Sequence, residues 1–509
     1  MSEPHTPGRE AEPPDPRRWR ALAVTLAAGF MTLLDVSIVN VALPSMQHGL
    51  GASPQGIQWV VSGYALTFGL TLVAGGRLGD LLGRRRMFLI ALTGFVVTSA
   101  AAGAAPNEAL LVTARLVQGL AAGMLTPQNS GLIQDLFRGA ERGRAFGMLG
   151  ATIGISTAAG PVIGGLILAA FGDQEGWRWV FYVNVPIGVV ALVLAARLVP
   201  PGRPDRGSGG GSARSRIDFV GMALLGVTTL GVLLPLVQST GGGDPWLWLL
   251  IPVAAGIAVV FVRWERATVR RGHSPLLDLR LFTDTSGFAS GAVLATIYFC
   301  GFSGIWLVLS LFFQDGLGYT PLQSGLSVTP FALGSAATAM IAGRLVSRWG
   351  RRLTVTGLSL IVVGLGTAAV LLRLTHDPSH TGFVLIAPLF VAGVGGGAVI
   401  SPNTTLTLAC VPTSLAGSAG GALQTGQRIG TAIGTAVLAT VFRSTVTRTR
   451  GDYPIAASTA VFCAIVFVVA ALVVAVLELR AGRRTGPTDD EPERRDFDDA
   501  VRASDVHRS

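Results

Sequence analysis

The chain has 509 residues, half of them hydrophobic and only 13% charged, with a formal net charge of +10. This balance excludes a disordered chain and a water-soluble α/β enzyme, and the stretches between apolar runs are too short for a sizeable soluble domain. All 39 basic residues are Arg, and most sit in short connections between apolar runs, which is a membrane-loop pattern rather than a nucleic-acid-binding face.

Crossing the hydrocarbon takes about 20 apolar residues, and fourteen such runs follow one another. They begin near Ala21, Gln58, Met87, Glu108, Arg144, Arg178, Ile217, Pro245, Gly287, Ser324, Leu353, Thr381, Leu415 and Ala456. The leading segment 1–19 is polar and Pro-rich and shows no short apolar region with a cleavage site, so the first span is expected to stay as an anchor. An even count puts both termini on one side. The clusters Arg17/Arg18/Arg20, Arg84/Arg85/Arg86, Arg138/Arg142/Arg144, Arg203 to Arg216, Arg263 to Arg271 and Arg348/Arg351/Arg352 fall on that side, which the positive-inside rule reads as cytoplasmic. Arg443, Arg448 and Arg450 are the exception and face outward. The Gly- and Ser-rich stretch 199–216 reads as a flexible linker, PLLDLRLF (275–282) as a segment lying in the membrane interface, and 481–509 as a disordered tail. Cys300, Cys410 and Cys463 lie in or beside apolar runs, an odd set with neither disulfide nor zinc spacing.

An internal repeat organises the spans. Residues 76–85 read GRLGDLLGRR and residues 343–352 read GRLVSRWGRR, each closing one apolar run and opening the next. The chain then divides into a six-helix bundle (20–198), two inserted spans (217–265), an interfacial segment (266–286) and a second six-helix bundle (287–480). Parallel repeats of this kind place a substrate site at mid-membrane between halves that rock against each other.

Several polar groups interrupt the apolar runs. Asp35 lies about two-thirds along the first, and Arg115 lies on the antiparallel fourth span at matching depth by a count of about 1.5 Å per residue. An ionised side chain at mid-membrane costs about 2.5–3.5 kcal/mol, so such groups face a watery cavity or a partner. Two readings stand for Asp35: a proton carrier whose affinity changes as its surroundings change, and a static ion pair with Arg115. Gln118, Gln424, Gln427 and Arg428 are candidate cavity-lining groups, or buried interhelical hydrogen-bonding groups. Trp59, Tyr64 and Trp306 are candidates for an apolar drug surface, with Phe30, Tyr298 and Phe302 as further aromatics. GPVIGG (160–165) sets the helix breaker Pro161 among small Gly160, Gly164 and Gly165, which suit close packing. In the first loop Gly76 and Gly83 permit close backbone approach, and Asp80 can pair with Arg84 or take hydrogen bonds from a neighbouring helix N-terminus. The second loop has Ser347 in place of the acid.

GGRLGDLLGRRR (75–86) resembles the loop signature of the major facilitator superfamily. LLDVSIVNVALP (33–44), IQWVVSGYAL (57–66), RLVQGLAAG (115–123), GPVIGG and WRWVFYVNVPIG (177–188) together resemble its fourteen-span drug:proton antiporter subfamily, DHA2. The resemblance runs from about residue 20 to 480. It implies an all-α membrane fold of two six-helix bundles plus two central helices, and proton-coupled export of small amphipathic compounds across the plasma membrane. It also implies a latch at Gly76, Asp80, Gly83 and Arg84 that holds the outward-facing state, and the antiporter motif at Gly160, Pro161, Gly164 and Gly165, while the matched depth of Asp35 and Arg115 makes them the candidate proton-coupling pair. Ser156 stands where that motif usually has Gly. The tenth span has no carboxylate, which sets aside a preference for divalent cations. No phosphate-binding GxxxxGK[ST] loop and no metal-ligand spacing occur, so neither an enzyme nor a cofactor is expected. The expected partners are substrate, protons and lipid, with the chain as a monomer. The competing readings are a dedicated exporter or importer of a metabolite, and a membrane receptor.

Overall fold

The structure, a computed structural model, describes residues 16–172, 174–201, 218–239, 244–271, 273, 275–375, 378–412 and 415–484. Most of the tail 1–19, most of the linker 199–216 and nearly all of the tail 481–509 lie outside the described residues. Thirteen helical segments are long and apolar enough to cross a membrane, and a fourteenth qualifies as a pair bent by 41°. The first bundle comprises α1 (Arg18–Leu50), α2 (Pro54–Leu82), α3 (Arg84–Gly103), α4 (Glu108–Leu136), α5 (Gly139–Phe171) and a sixth span made of α6 (Gly176–Tyr182) and α7 (Asn184–Leu198). The inserted pair is α8 (Phe219–Ser239) and α9 (Leu250–Arg270), followed by the short α10 (Arg280–Thr283). The second bundle comprises α11 (Phe288–Leu311), α12 (Pro321–Trp349), α13 (Arg351–Leu374), α14 (Pro378–Val384) with α15 (Ile386–Thr407), α16 (Ala416–Arg448) and α17 (Tyr453–Arg484).

Local chemistry starts and stops these helices. Ser53 accepts from the Gly56 amide at 3.0 Å ahead of Pro54 in α2, and Asn107 accepts from the Leu110 amide at 2.9 Å in α4. Thr320 and Gln323 form a reciprocal capping box at α12. Gly83 is the single residue between α2 and α3, and Gly350 the single residue between α12 and α13, with φ of 94° and 50°. Both dihedrals are strained for a side chain but open to glycine, which lets one span turn directly into the next.

The two halves repeat one another in their packing. α1 packs on α5, α2 on α4, α3 on α4 and on α7, and the same neighbours recur as α11 on α16, α12 on α15, α13 on α15 and on α17. Each half buries its own apolar core, one around Phe88, Phe95 and Leu125, the other around Tyr298, Phe312 and Leu365. Two seams join the halves, α2 against α16 and α5 against α12. The inserted α8 lies on the first seam, where Leu233 and Leu236 pack with Leu66 of α2 and Ala432 and Ala436 of α16.

Segment 275–282, expected in the membrane interface, turns part of its apolar side to protein. Leu276, Leu277 and Leu281 are buried in a cluster with Leu22, Phe137, Phe146, Phe261 and Leu408, so protein from both halves covers that part. Asp278 hydrogen-bonds Arg280 at 2.8 Å, and that bond holds its carboxyl below the ordinary range.

Candidate functional site

Asp35 of α1 is completely buried, and Arg115 of α4 is 1% exposed. An Arg115 Nη1 donates to Asp35 Oδ2 at 2.6 Å and to Gln118 Oε1 at 2.8 Å. Gln118 Nε2 and Asn184 Nδ2 donate to Asp35 Oδ1 at 3.2 and 2.9 Å. The carboxylate therefore receives three donors from α4 and α7. Arg115 Nε donates to the Val60 carbonyl at 3.1 Å, and the guanidinium lies 4.1 Å from the centre of the Tyr64 ring. The break in the sixth span between α6 and α7 puts Asn184 at a helix start, from which it reaches both Asp35 and Ser99, the latter at 3.1 Å. Asn184 was not singled out from sequence, although the lone amide in YVNVP is a signal. The cluster can hold a charged carboxylate while it is paired, and would need rearrangement or a proton if Arg115 withdrew.

The loop signature lies where α2 meets α16, at the end of the molecule that carries most of the Arg clusters. Gly76 and Gly417 approach so closely that a Cβ on either would overlap the other's carbonyl. Asp80 is 7% exposed. Its two carboxylate oxygens accept from the Gly417 and Ser418 amides at 3.0 Å each, and Arg84 donates to it at 3.1 Å. Gly417 and Ser418 stand in the first turn of α16, where amides lack partners inside the helix and the helix dipole favours a negative charge. Arg84 also pairs with Asp135 of α4 at 2.9 Å and donates to the Gly131 carbonyl.

The second copy is built differently. Gly343 meets Gly143 and Gly147 of α5 in the same close manner, but Ser347 is exposed. Arg351, the counterpart of Arg84, pairs with Glu478 of α17 at 2.6 Å and donates to Asn403 at 2.5 Å. Neither partner was anticipated, because nothing in the loop sequence points to α17.

α5 bends between Gly139–Thr157 and Val162–Phe171, the stretch that ends in Pro161. Gly160 and Gly164 face Ser37, Ile38 and Val41 of α1, and Gly165 faces Leu322 of α12. Ser37 Oγ donates to the Thr157 carbonyl at 3.0 Å, at the bend. Ser156 bonds its own helix at the Ile153 carbonyl, 3.0 Å away, so its hydroxyl is satisfied locally.

The remaining candidates fall in two groups. Tyr64 is buried and its hydroxyl has no protein partner, while Trp59 is half-buried beside the α8 cluster. Gln424 reaches across to Ser130 of α4 at 3.3 Å, Gln427 is half-buried, and Arg428 lies 4.2 Å from the centre of the Phe68 ring on α2. Trp306 lines an aromatic pocket with Tyr298, Phe302 and Phe331, and a second cavity, which shares Phe302, Trp306 and Phe331, is lined on its other side by Ile153 and Thr157 of α5. The Tyr298 hydroxyl and the Trp306 indole N–H are buried there without partners. Phe331 was not singled out from sequence. Among the described residues no group of three or more metal-ligand side chains occurs.

Two bundles related by an internal repeat, with a seam at each side and an ion pair buried inside one half, define a transporter-type, multi-pass helical membrane protein. The chain belongs to the Major Facilitator Superfamily, whose profile matches residues 25–282 and 291–504. It is 38% identical over 435 residues to the probable actinorhodin transporter of Streptomyces coelicolor, covering 84% of this chain and 73% of that relative. It is 36% identical over 436 residues to the puromycin resistance protein pur8 of Streptomyces alboniger, covering 84% and 82%. The fold matches the human organic anion transporter MFSD10 with a TM-score of 0.66 at 16% identity, covering 91% of this chain and all of that one. At that identity the match concerns fold alone.

Proposed function

We propose that this chain exports small amphipathic compounds across the plasma membrane in exchange for protons, by alternating access, with both termini cytoplasmic. The observation that carries the coupling is the Asp35 cluster, a mid-span carboxylate held by Arg115, Gln118 and Asn184. Export is supported by relatives named for resistance to, or export of, puromycin, tetracenomycin C and multiple drugs.

In the state described here, Asp35 and Arg115 are paired at 2.6 Å. When the halves rock and outside water reaches Asp35, a proton neutralises the carboxyl and weakens its hold on Arg115. Arg115 keeps the Val60 carbonyl, Gln118 and the Tyr64 face as alternative partners. Rocking back then carries the proton inward. One proton moving down about 150 mV yields roughly 3.5 kcal/mol, enough for a gradient of a few hundredfold in a neutral cargo. Asp80 capping α16 acts as the latch on the cytoplasmic side.

In everted vesicles, adding a transported compound should release protons from the lumen of wild-type vesicles and not from vesicles carrying Asp35→Asn. Equal release from both would remove Asp35 from the coupling role. A dedicated exporter of a single compound is the second reading, favoured by relatives named for one compound each. A panel of unrelated drugs separates the two by the breadth of protection.

A further inference from the structure

Among the described residues Arg428 has no carboxylate partner. Its guanidinium stands about the middle of α16, stacks on Phe68 of the opposite bundle at 4.2 Å, and among the described residues takes part in no ion pair or hydrogen bond. The arginines that are buried among the described residues each have a carboxylate. Arg115 has Asp35, Arg84 has Asp80 and Asp135, and Arg351 has Glu478. Beside Arg428 is Tyr64, which is 2% exposed, carries a hydroxyl without a partner among the described residues, and lies within electrostatic reach of Asp35, Arg115 and Arg428. Leu66, Leu233, Ile429 and Ile433 form an apolar cluster in the same seam, and Gln424 and Gln427 are the polar neighbours along α16. A cation, a phenolic hydroxyl and an aromatic face thus stand together between the halves, and the nearby carboxylate, Asp35, is already engaged by Arg115, Gln118 and Asn184 rather than by Arg428.

Resting on the export reading above, we propose that Arg428, with Tyr64 and Phe68, binds the acidic group of the cargo, so that the preferred substrates are amphipathic aromatic anions carrying a carboxylate or ionised phenol. The guanidinium offers a planar fork of donors that matches a carboxylate, and low-dielectric walls strengthen the pairing. Phe68 already occupies one face of the guanidinium, which leaves its edge for the ligand. The site spans α2 and α16, so a bound anion would bridge the two bundles next to the Asp35–Arg115 pair.

The test uses the full-length protein in nanodiscs and three probes: anthraquinone-2-carboxylate, its methyl ester, and the cation ethidium. Calorimetry should show the wild type binding the carboxylate at least tenfold more tightly than the ester. Arg428→Gln should bring that ratio close to one, and Arg428→Lys should restore most of it. Leu236→Ala, which disturbs the packing of the same seam and lies outside the proposed site, should keep the ratio well above one, and this guards against a general effect of disturbing the seam. A wild-type ratio near one, tighter binding of ethidium than of the carboxylate, or an unchanged ratio in Arg428→Gln each overturns the proposal. Proton release from everted vesicles separates this outcome from the parent reading. Release driven by ethidium but not by the carboxylate leaves antiport standing and removes the anion site, whereas carboxylate-selective binding with no proton release by any probe does the reverse.

Discussion

The Asp80 carboxylate accepts the Gly417 amide at 3.0 Å, so a side chain at the end of α2 caps a helix that belongs to the other bundle. The Ser418 amide completes the cap on the second oxygen. Hydrogen bonds to charged groups contribute about 1.5–3 kcal/mol, and Asp80→Asn can retain only one comparable neutral acceptor. The variant should shift the closed seam toward opening by roughly tenfold or more. Distance measurements between spin labels on α2 and α16 should show the longer separation gaining weight, and an unchanged distribution would remove the cap from the latch.

Gly76 tests the same contact sterically. A Cβ there overlaps the Gly417 carbonyl backbone, which has no flexible side-chain end to give way. Gly76→Val should therefore prevent closure of this seam while leaving each bundle folded. Thiol labelling of a cysteine placed at Ser418 should become fast in that variant and stay slow in the parent, since Ser418 is buried when the seam is shut.

Ser347→Asp should fail to create a second latch. Gly417 and Ser418 are the second and third residues of α16, with amides that have no partner within the helix. The facing glycine in the repeat, Gly143, lies in the second turn of α5, which starts at Gly139, so its amide is already bonded within the helix. A new carboxylate at 347 finds no free donor there. Its effect on the closed population should stay within about 0.5 kcal/mol, as for other exposed sites, and a marked slowing of thiol labelling across the α5–α12 seam would contradict this account.

Asp35→Asn removes one member of a buried ion pair and leaves Arg115 uncompensated, at a cost of roughly 3–5 kcal/mol. Proton-driven accumulation should be lost. Downhill exchange of substrate in proteoliposomes without a proton gradient should persist in whatever fraction remains folded. Loss of exchange in correctly sized, membrane-inserted protein would favour the static ion-pair reading.

Glu478→Gln should lower thermal stability. Arg351 is 7% exposed at the side chain and has Glu478 at 2.6 Å as its charged partner. The amide keeps an acceptor but loses the charge, so about 1–3 kcal/mol should go. A melting curve in detergent reads this directly, and an unchanged midpoint would mean that Asn403 alone suffices.

The spans, their pairing into repeats and the level of Asp35 with Arg115 were legible in the sequence because hydropathy and helix rise are one-dimensional quantities. Counting about 1.5 Å per residue set the two charges at one depth, and they stand 2.6 Å apart. Rotation about a helix axis is not one-dimensional, and the rest was hidden for that reason. Nothing in YVNVP says that a break after Val183 turns Asn184 toward Asp35, and nothing in GRLVSRWGRR names Glu478. The apolar residues of PLLDLRLF do not say what covers them, and Leu276, Leu277 and Leu281 pack on protein from both halves, since composition does not tell one apolar neighbour from another.

The position of α8 constrains the motion itself. Its leucines touch α2 and α16 at once, so any stroke that parts those two helices must also tear α8 from one of them. The inserted pair is thus a passenger obliged to choose a side on every cycle. Whichever bundle kept it would take a larger greasy flank through the lipid, so halves that rock would not do so as mirror-matched weights.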